Sequence, residues 1–233
     1  RNFDINPFSF ALNTSRTLDP DQTYTRNYAP FNIFHELDNN YIDVNVMDMK
    51  FQGEISWKPI FGLEINLLGA YRINQSTREH FVLNTSNQAE AYRAGVGNPN
   101  IMYNNKYLYT DPDVPNSLPF SVMETGGIYT INKNQVKQLD FRATANYNKV
   151  WNDTHIFNAL VGFEANRADY DASEHNDYGV DFDNARLVTI TPAFYKQAKE
   201  EGTELVSFAK AWNRRLAYVA NANYSYKGIS CKV

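Results

Sequence analysis

Five stretches of the chain alternate apolar and polar residues with a period of two. They lie at about residues 46–57, 63–73, 136–148, 155–167 and 215–227. Successive side chains of a β-strand point to opposite faces, so this period predicts strands that each have one apolar and one polar face. Each stretch also has roughly the ~9–11 residues that a tilted strand needs to cross a bilayer.

The first stretch shows the clearest contrast. One face carries Met47, Met49, Phe51, Ile55 and Trp57, and the other carries Asp48, Lys50, Gln52, Glu54 and Ser56. An antiparallel sheet that lies on a soluble core gives the same alternation. Charged residues in the middle of the polar faces, such as Lys50 and Arg142, suit the wet interior of a barrel as well as open solvent.

The connections between the stretches differ strongly in length. The turns at residues 58–62 and 149–154 are short, whereas the connections at about 74–135 and 168–213 are long. Structureless loops beyond ~12–15 residues are uncommon within compact soluble domains. Outer-membrane barrels alternate short periplasmic turns with long extracellular loops and carry aromatic girdles. Aromatic residues do collect near the ends of the stretches, at Trp57, Phe61, Tyr147, Trp151, Tyr224 and Tyr226.

The chain is therefore predicted to be all-β, with antiparallel strands of a transmembrane β-barrel fragment, long extracellular loops and one short loop helix. This surface helix is predicted to have Thr191 as its N-cap, Pro192 as its first residue and an end near Gly202. The first 45 residues are interpreted as another long loop, with turn signals at Asn6-Pro7, Asp19-Pro20 and Ala29-Pro30. No segment approaches the ~18 consecutive apolar residues of a membrane helix.

Charge and cysteine content exclude several classes of protein. A net charge of -4 argues against nucleic-acid binding, because no basic surplus is present to neutralise phosphates. Cys231 is the only cysteine, so the chain has no internal disulfide and no site with several thiolates. Residues 1–13 contain no signal peptide, so an exported protein would have lost its leader or would begin further upstream.

No motif indicates catalysis, a cofactor or a metal site, and the chain is not predicted to be an enzyme. The histidines, His35, His80, His155 and His175, are scattered and form no H-E-x-x-H pattern. An acidic stretch contains Asp169, Asp171, Glu174, Asp177, Asp181 and Asp183. It lacks the spacing of a calcium loop, so a solvated loop is expected there, with calcium binding as the alternative.

Aromatic residues in the first long connection are candidate substrate contacts. These are Tyr103, Tyr107, Tyr109, Phe120 and Tyr129. An aromatic face can cover the C–H groups of a sugar ring. The same rings could instead pack the loop against itself or against a partner, and the sequence does not single out an individual binding residue.

Four segments, in order along the chain, resemble the barrel of SusC/RagA family TonB-linked outer-membrane transporters. They read NPFSFALNTSR at 6–16, YTRNYAPF at 24–31, LDNNYID at 37–43 and RRLAYVANANYSYKG at 214–228. The resemblance implies a barrel of about 22 strands with a plug. It also implies TonB-energised import of glycans or peptides across the bacterial outer membrane, with a SusD-like lipoprotein as a lid.

The chain departs from this family pattern in several ways. It has no recognisable TonB box, carboxypeptidase-like domain or plug, so contact with TonB would use a missing N-terminal region. Five strands cannot close such a barrel, and the ending at 225–233 suggests a truncated product. The chain is predicted to be part of a nutrient importer in contact with outer-membrane lipid. The alternative is a soluble secreted or periplasmic β-sandwich that binds carbohydrate.

Overall fold

Long β-strands dominate the computed structural model, which describes Leu12, Asp19 and residues 21–187 and 191–232. The strands are Tyr24–Arg26 (β1), Ala29–Phe31 (β2), Asn40–Ile60 (β3), Leu63–Val82 (β4), Gly127–Trp151 (β5), His155–Asp181 (β6), Arg186–Leu187 (β7), Val206–Tyr226 (β8) and Ile229–Lys232 (β9). The helices are Ile33–Asn39 (α1), Asn87–Ala91 (α2), Pro99–Met102 (α3) and Pro192–Glu200 (α4).

The large sheet has the strand order β3-β4-β5-β6-β8-β9, with β7 paired to β6 outside this path. Strands β1 and β2 form a separate antiparallel hairpin, in which Tyr24 lies opposite Phe31. The predicted all-β fold class is confirmed, because the chain is mostly antiparallel sheet with a few short helices.

The observed strands are longer than the predicted stretches. Four of the five stretches lie inside β3, β4, β5 and β6, and the fifth exceeds β8 by one residue, Lys227. The long connections shrink accordingly to residues 83–126 and 182–205, which corrects the bounds of 74–135 and 168–213. Beyond the apolar stretches both faces of the strands carry polar residues, so the alternation that would identify a strand disappears there.

The short turns depend on residues that tolerate positive φ. Gly62 has φ of 86°, and a Cβ atom there would overlap the backbone carbonyl of Asn148. The amide of Asn148 donates to the carbonyl oxygen of Gly62 at 2.7 Å. Asn152 and Asp153, at φ of 48° and 51°, form the other short turn. Both turns occur where the sequence predicts them.

Contacts divide the chain into two units. The loop unit comprises the described residues of Arg1–Asn45, Thr77–Asn132 and Ser173–Ser207, and the strand unit comprises Val46–Ser76, Lys133–Ala172 and the described residues of Phe208–Val233. The helices of the described part are all too short or too polar to span a bilayer.

The strand unit exposes its apolar face. Phe51 is 64% exposed and Tyr218 is 78% exposed. Phe163 lies 6.3 Å from the ring of Phe141 and 5.3 Å from that of Tyr218, so aromatic rings form a row across neighbouring strands. A soluble β-sandwich would cover this face with a second sheet. Among the described residues, no second sheet covers this face.

The polar face of the strand unit carries cross-strand ion pairs. The guanidinium of Arg72 pairs with Asp48, and that of Arg142 lies 3.1 Å from Glu164. Asn166 donates to Asp140 on the same face. These groups satisfy one another along a surface that the alternation keeps polar, as predicted.

The loop unit has hydrophobic clusters of its own, which are built largely from the two long connections. One cluster contains Ala29, Val82, Ala89, Ala91, Tyr92, Tyr107, Met123 and Ile128. The second contains Tyr109, Val122 and Phe194, with Phe120, Tyr178, Ala193 and Leu205 packed against it. The long connections are therefore folded, not structureless.

The prediction that the first 45 residues form one long loop is wrong for the described part. Residues 24–39 form a hairpin and a helix, and β3 begins at Asn40. The predicted turn at Ala29-Pro30 lies within β2, and the turn is made by Asn27 and Tyr28, both with positive φ. Asn6-Pro7 and Pro20 lie outside the described residues, as do residues 6–16 apart from Leu12.

Helix α4 occurs where the sequence predicts it, with Thr191 at the N-cap and Pro192 as its first residue. Thr191 makes no side-chain capping hydrogen bond. One detail of the prediction is wrong: the helix is not a surface decoration, because Phe194, Gln197 and Ala198 are buried. Its burial depends on tertiary partners that the local sequence does not reveal.

Asn87 attaches the β1–β2 hairpin to the rest of the loop unit. Its side chain is fully buried, and its Nδ2 donates to the carbonyl oxygens of Arg26, Ala29 and Pro30 at 2.7, 3.2 and 2.9 Å. One carboxamide therefore binds three backbone carbonyls of the hairpin.

We expect Asn87→Ala to release this hairpin, with a loss of about 2–4 kcal/mol of local stability, because buried acceptors lose their donor. Amide hydrogen exchange of residues 24–31 would then accelerate. Asn104→Ala, which removes an exposed carboxamide bonded to the carbonyl of Asn100, is the matched control. Unchanged exchange in Asn87→Ala would contradict the assignment.

Glu36 is a buried carboxyl next to this attachment. Its Oε1 accepts from the backbone amide of Asn87 at 2.5 Å, while Oε2 has no hydrogen-bond partner among the described residues. Burial raises the pKa of Glu36, and the hydrogen bond from Asn87 only partly opposes this. The loop unit therefore favours the neutral acid.

The contribution of Glu36 to stability should fall as pH rises. An acid with a raised pKa in the fold stabilises the fold fully below its unfolded pKa, and this contribution is lost as pH rises through the folded pKa. Glu36→Gln keeps the neutral shape at every pH. The stability advantage of Glu36→Gln over the unmodified protein should therefore grow with pH above the unfolded value. Protection of the amides of residues 24–39 from hydrogen exchange measures this stability difference, and Glu90→Gln is the control. A difference that does not change with pH would refute the prediction.

Candidate functional site

The loop unit contains a cavity of about 300 Å³ bordered by α2, the end of β6 and α4. Its lining residues are Gln88, Tyr92, Tyr178, Phe194, Gln197, Ala198, Glu201 and Thr203. Its volume is at the lower end of the range for pockets that hold small molecules. The cavity is the candidate binding site because it combines aromatic and polar walls.

Three aromatic rings form one wall of this cavity. Tyr178 lies 4.8 Å from the ring of Phe194 and 6.0 Å from that of Tyr92, at angles of 48° and 64°. The rings come from α2's C-terminal end, β6 and α4, so only the folded loop unit brings them together. Such a wall offers apolar surface to sugar C–H groups or to the apolar side chains of a peptide.

The other lining residues include polar side chains. Nε2 of Gln197, a buried residue, donates to Oε1 of Glu201 at 2.9 Å, one helical turn away. The amide of Thr203 donates to the carbonyl of Ala198 at 2.8 Å, after Gly202 leaves the helix with φ of 65°. These residues therefore present carboxylate, carboxamide and hydroxyl groups, which can orient a ligand through hydrogen bonds.

Helix α4 is fixed to the first long connection by an ion-pair cluster. Nζ of Lys196 pairs with Asp111 and lies 2.6 Å from Asp113. The two carboxylates raise the pKa of Lys196, and Lys196 in turn lowers the pKa of Asp111. These charges therefore remain ionised at neutral pH and join the two long connections.

Tyr109 makes a second contact of the same kind. Its hydroxyl donates to Oε2 of Glu200 at 2.9 Å, and burial, followed by this bond, raises the pKa of Tyr109 to about 12. Its backbone pairs with Phe120, and the two rings meet edge to face at 5.6 Å. Tyr109 thus supports the helix that forms one side of the cavity.

Most of the loop aromatics predicted as candidate contacts pack the loop against itself. Tyr107 lies 5.5 Å from Tyr92, and Tyr109 and Phe120 contact each other. The hydroxyl of Tyr129 donates to Glu79, and burial raises the pKa of Tyr129 to about 12. Tyr103, at 66% exposure, remains open to solvent.

Tyr92 and Tyr178 are cavity residues that sequence reasoning missed. Tyr178 lies within the acidic stretch, which was predicted to be a solvated loop and is instead part of β6 as far as Asp181. The only available signal was the alternation of Asn176, Tyr178 and Val180, which is too short to distinguish a strand from a loop.

Four of the six acidic residues, Asp169, Asp171, Glu174 and Asp181, bind cationic or amide side chains of the chain itself. Asp169 pairs with Arg167 and Arg214, Asp171 with Lys210, and Asp181 with Arg186. Across the described residues, no three His, Cys, Asp or Glu side chains come together in a way that could hold a metal. Among the histidines, Nε2 of His80 lies 2.7 Å from Asn40, and Nδ1 of His155 lies 2.6 Å from Tyr224.

Comparison with known proteins gives matches at the level of structure. No family model matches the chain, and no curated protein matches it. Three similar solved structures are the RagAB peptide importer in a "closed-closed" state, the same importer in an "open-open" state and the RagAB peptide transporter. Their TM-scores are 0.56, 0.54 and 0.53, and their identities are 14%, 14% and 13%.

Each match covers 85% of this chain and 18% of the importer chain. The chain therefore spans less than a fifth of the length of the proteins it resembles. Identity at this level shows the fold alone. The strands described above have the fold of a β-barrel segment from such an importer chain.

Proposed function

We propose that the chain is part of an outer-membrane nutrient importer. The strand unit crosses the membrane, and the loop unit faces the exterior and contributes to substrate capture. The observation that carries this proposal is the similarity to RagAB importer chains over 85% of the chain. The chain itself supplies no catalytic chemistry in this proposal.

The surface of the strand unit supports placement in a membrane. Exposed apolar side chains along β3, β6 and β8, including Trp57, Val161 and Leu216, would form a contiguous patch that promotes aggregation in water. In hydrocarbon the same surface is favourable, while the ion-paired polar face suits a water-filled interior. A barrel in the bacterial outer membrane satisfies both faces.

The cavity in the loop unit supports the capture of a peptide or an oligosaccharide. Its aromatic wall, Tyr92, Tyr178 and Phe194, offers stacking surface, and Gln197 and Glu201 offer hydrogen-bonding edges. The matched structures are those of a peptide importer. A peptide is the substrate class that the cavity and this likeness favour together.

Two protein partners complete the proposal. A transporter–lipoprotein pairing, as in RagAB, would place a SusD-like lipoprotein against the loop unit. Energy would come from TonB, acting on a plug region that these 233 residues do not contain. Both partners belong to the whole importer and not to this segment alone.

The proposed topology predicts that cysteines at the two ends of the strands differ in their accessibility to a reagent outside the cell. In a Cys231→Ser background, Tyr103→Cys in the long connection should react in intact cells with a membrane-impermeant maleimide. Phe61→Cys, in the short turn at 92% exposure, should react only after the cells are opened. The outer membrane separates the two cysteine positions, so the impermeant maleimide reaches only the exterior one in intact cells. Labelling of Phe61→Cys in intact cells would contradict the topology.

Obstruction of the cavity should reduce uptake. Thr203 is exposed and lines the cavity, so Thr203→Trp should fill it without disturbing a buried residue. We expect about tenfold lower uptake of limiting peptide in cells that carry the complete transporter, equivalent to ~1.4 kcal/mol of binding. Thr203→Ser and Lys199→Trp, an exposed residue of α4 outside the lining, are the controls. Equal uptake in Thr203→Trp and Lys199→Trp would refute a role for the cavity.

A further inference from the structure

The apolar face of the strand unit changes character toward the strand ends that lead into the long connections. On β6 the row of Phe157, Ala159, Val161, Phe163 and Ala165 continues with Arg167, Asp169 and Asp171. On β8 the row of Tyr218 and Leu216 continues with Arg214, Trp212 and Lys210. Because side chains alternate between faces, these charged residues lie on the face that the proposed function places against lipid.

The contacts of these residues confirm that they share one face. Asp169 accepts from Nε of Arg167 at 2.8 Å and from Nη2 of Arg214 at 2.5 Å. Nζ of Lys210 lies 3.7 Å from Asp171, and the guanidinium of Arg214 lies 5.5 Å from the centre of the Trp212 ring. The cations and the tryptophan therefore form one surface, which we call the basic band: Lys133, Lys137, Arg167, Lys210, Trp212 and Arg214.

Positive charge exceeds negative charge in this band. Lys133 and Lys137 are exposed residues of β5 with the same parity as Leu139 and Phe141, so they extend the band onto the neighbouring strand. Within the described residues of the strand unit, the five basic side chains of the band on β5, β6 and β8 share their face with two carboxylates, Asp169 and Asp171. Lys210 is 84% exposed and Trp212 is 72% exposed, so the surplus charge is accessible.

Charges on a lipid-facing surface are costly unless they lie at the level of the head groups. Tryptophan prefers this same interfacial level. Arginine and lysine at such a level bind phosphate through charge-assisted hydrogen bonds, and basic clusters on membrane proteins recognise anionic head groups. A neutral head group would leave the surplus of cations unpaired.

We propose that the basic band is a binding site for a phosphate-bearing lipid head group in the outer leaflet. Arg214, positioned by Asp169 and Trp212, supplies a planar donor, and Lys210 and Lys137 supply mobile cations on either side. The acyl chains of the same lipid cover the apolar row of Phe163, Tyr218 and Leu216. The site rests on the proposed membrane placement but not on import.

Lipid retention by the intact, detergent-purified protein tests this site. The protein is reconstituted in phosphatidylcholine nanodiscs that contain diphosphorylated lipid A or its dephosphorylated form, and bound lipid is counted by native mass spectrometry. We expect Lys210→Gln/Arg214→Gln to retain about tenfold less diphosphorylated lipid, because charge-assisted hydrogen bonds are lost. The dephosphorylated lipid should be retained poorly by all variants.

Arg215→Gln/Lys50→Gln is the matched control, because both residues have the parity of the polar face. Its retention should equal that of the unmodified protein. If the double variant folds poorly, the single change Lys210→Gln replaces it, because Lys210 is exposed and loosely paired. This single variant should also retain less diphosphorylated lipid. Equal retention in band and control variants would overturn the site, as would displacement of the lipid by an equal concentration of inorganic phosphate.

Peptide uptake by the same variants separates the two proposals. Absence of peptide uptake by the unmodified protein, when it retains the phosphorylated lipid, would count against the importer. Retention that does not depend on the phosphates, in a protein that imports peptide, would count against the basic band.

Discussion

Backbone hydrogen bonding between neighbouring strands is the constraint on which the rest of this structure depends. A strand that faces hydrocarbon has no water to satisfy its amide and carbonyl groups, so each must pair with the next strand. Pairing fixes the pleat, and the pleat separates side chains into two faces of opposite polarity. The exposed aromatic row through Phe163 and the ion pair of Arg142 with Glu164 are the two results of this one separation.

The loop unit solves a different problem. Long connections lose conformational entropy when they become ordered, so they need buried contacts of their own. Here the hydrophobic clusters supply burial, and single polar side chains replace a sheet's regular pairing. Asn87 binds three carbonyls at once, and Lys196 joins α4 to Asp111 and Asp113. These contacts hold open a cavity whose walls come from distant parts of the chain.

The distribution of charge follows the same physical logic at both faces of the strands. On the polar face the charges are paired across strands, as with Arg72 and Asp48. On the apolar face of β6 and β8 they appear where the strands approach the long connections, beside Trp212 and not among Phe163 and Tyr218. In the proposed membrane placement, this boundary lies at the level at which a bilayer changes from hydrocarbon to head groups.

The sequence by itself determined the existence of the five long strands, the two short turns, α4 and the polarity of each face. These features depend on local periodicity and on turn residues such as Gly62, whose positive φ favours glycine. Only the tertiary structure decided how far the strands extend, how the first described residues fold and which rings line the cavity. Tyr92 and Tyr178 are 86 positions apart in the sequence, and no local pattern brings them together. Non-local packing set their positions, because the burial that orders the long connections exists only after all of those segments have met.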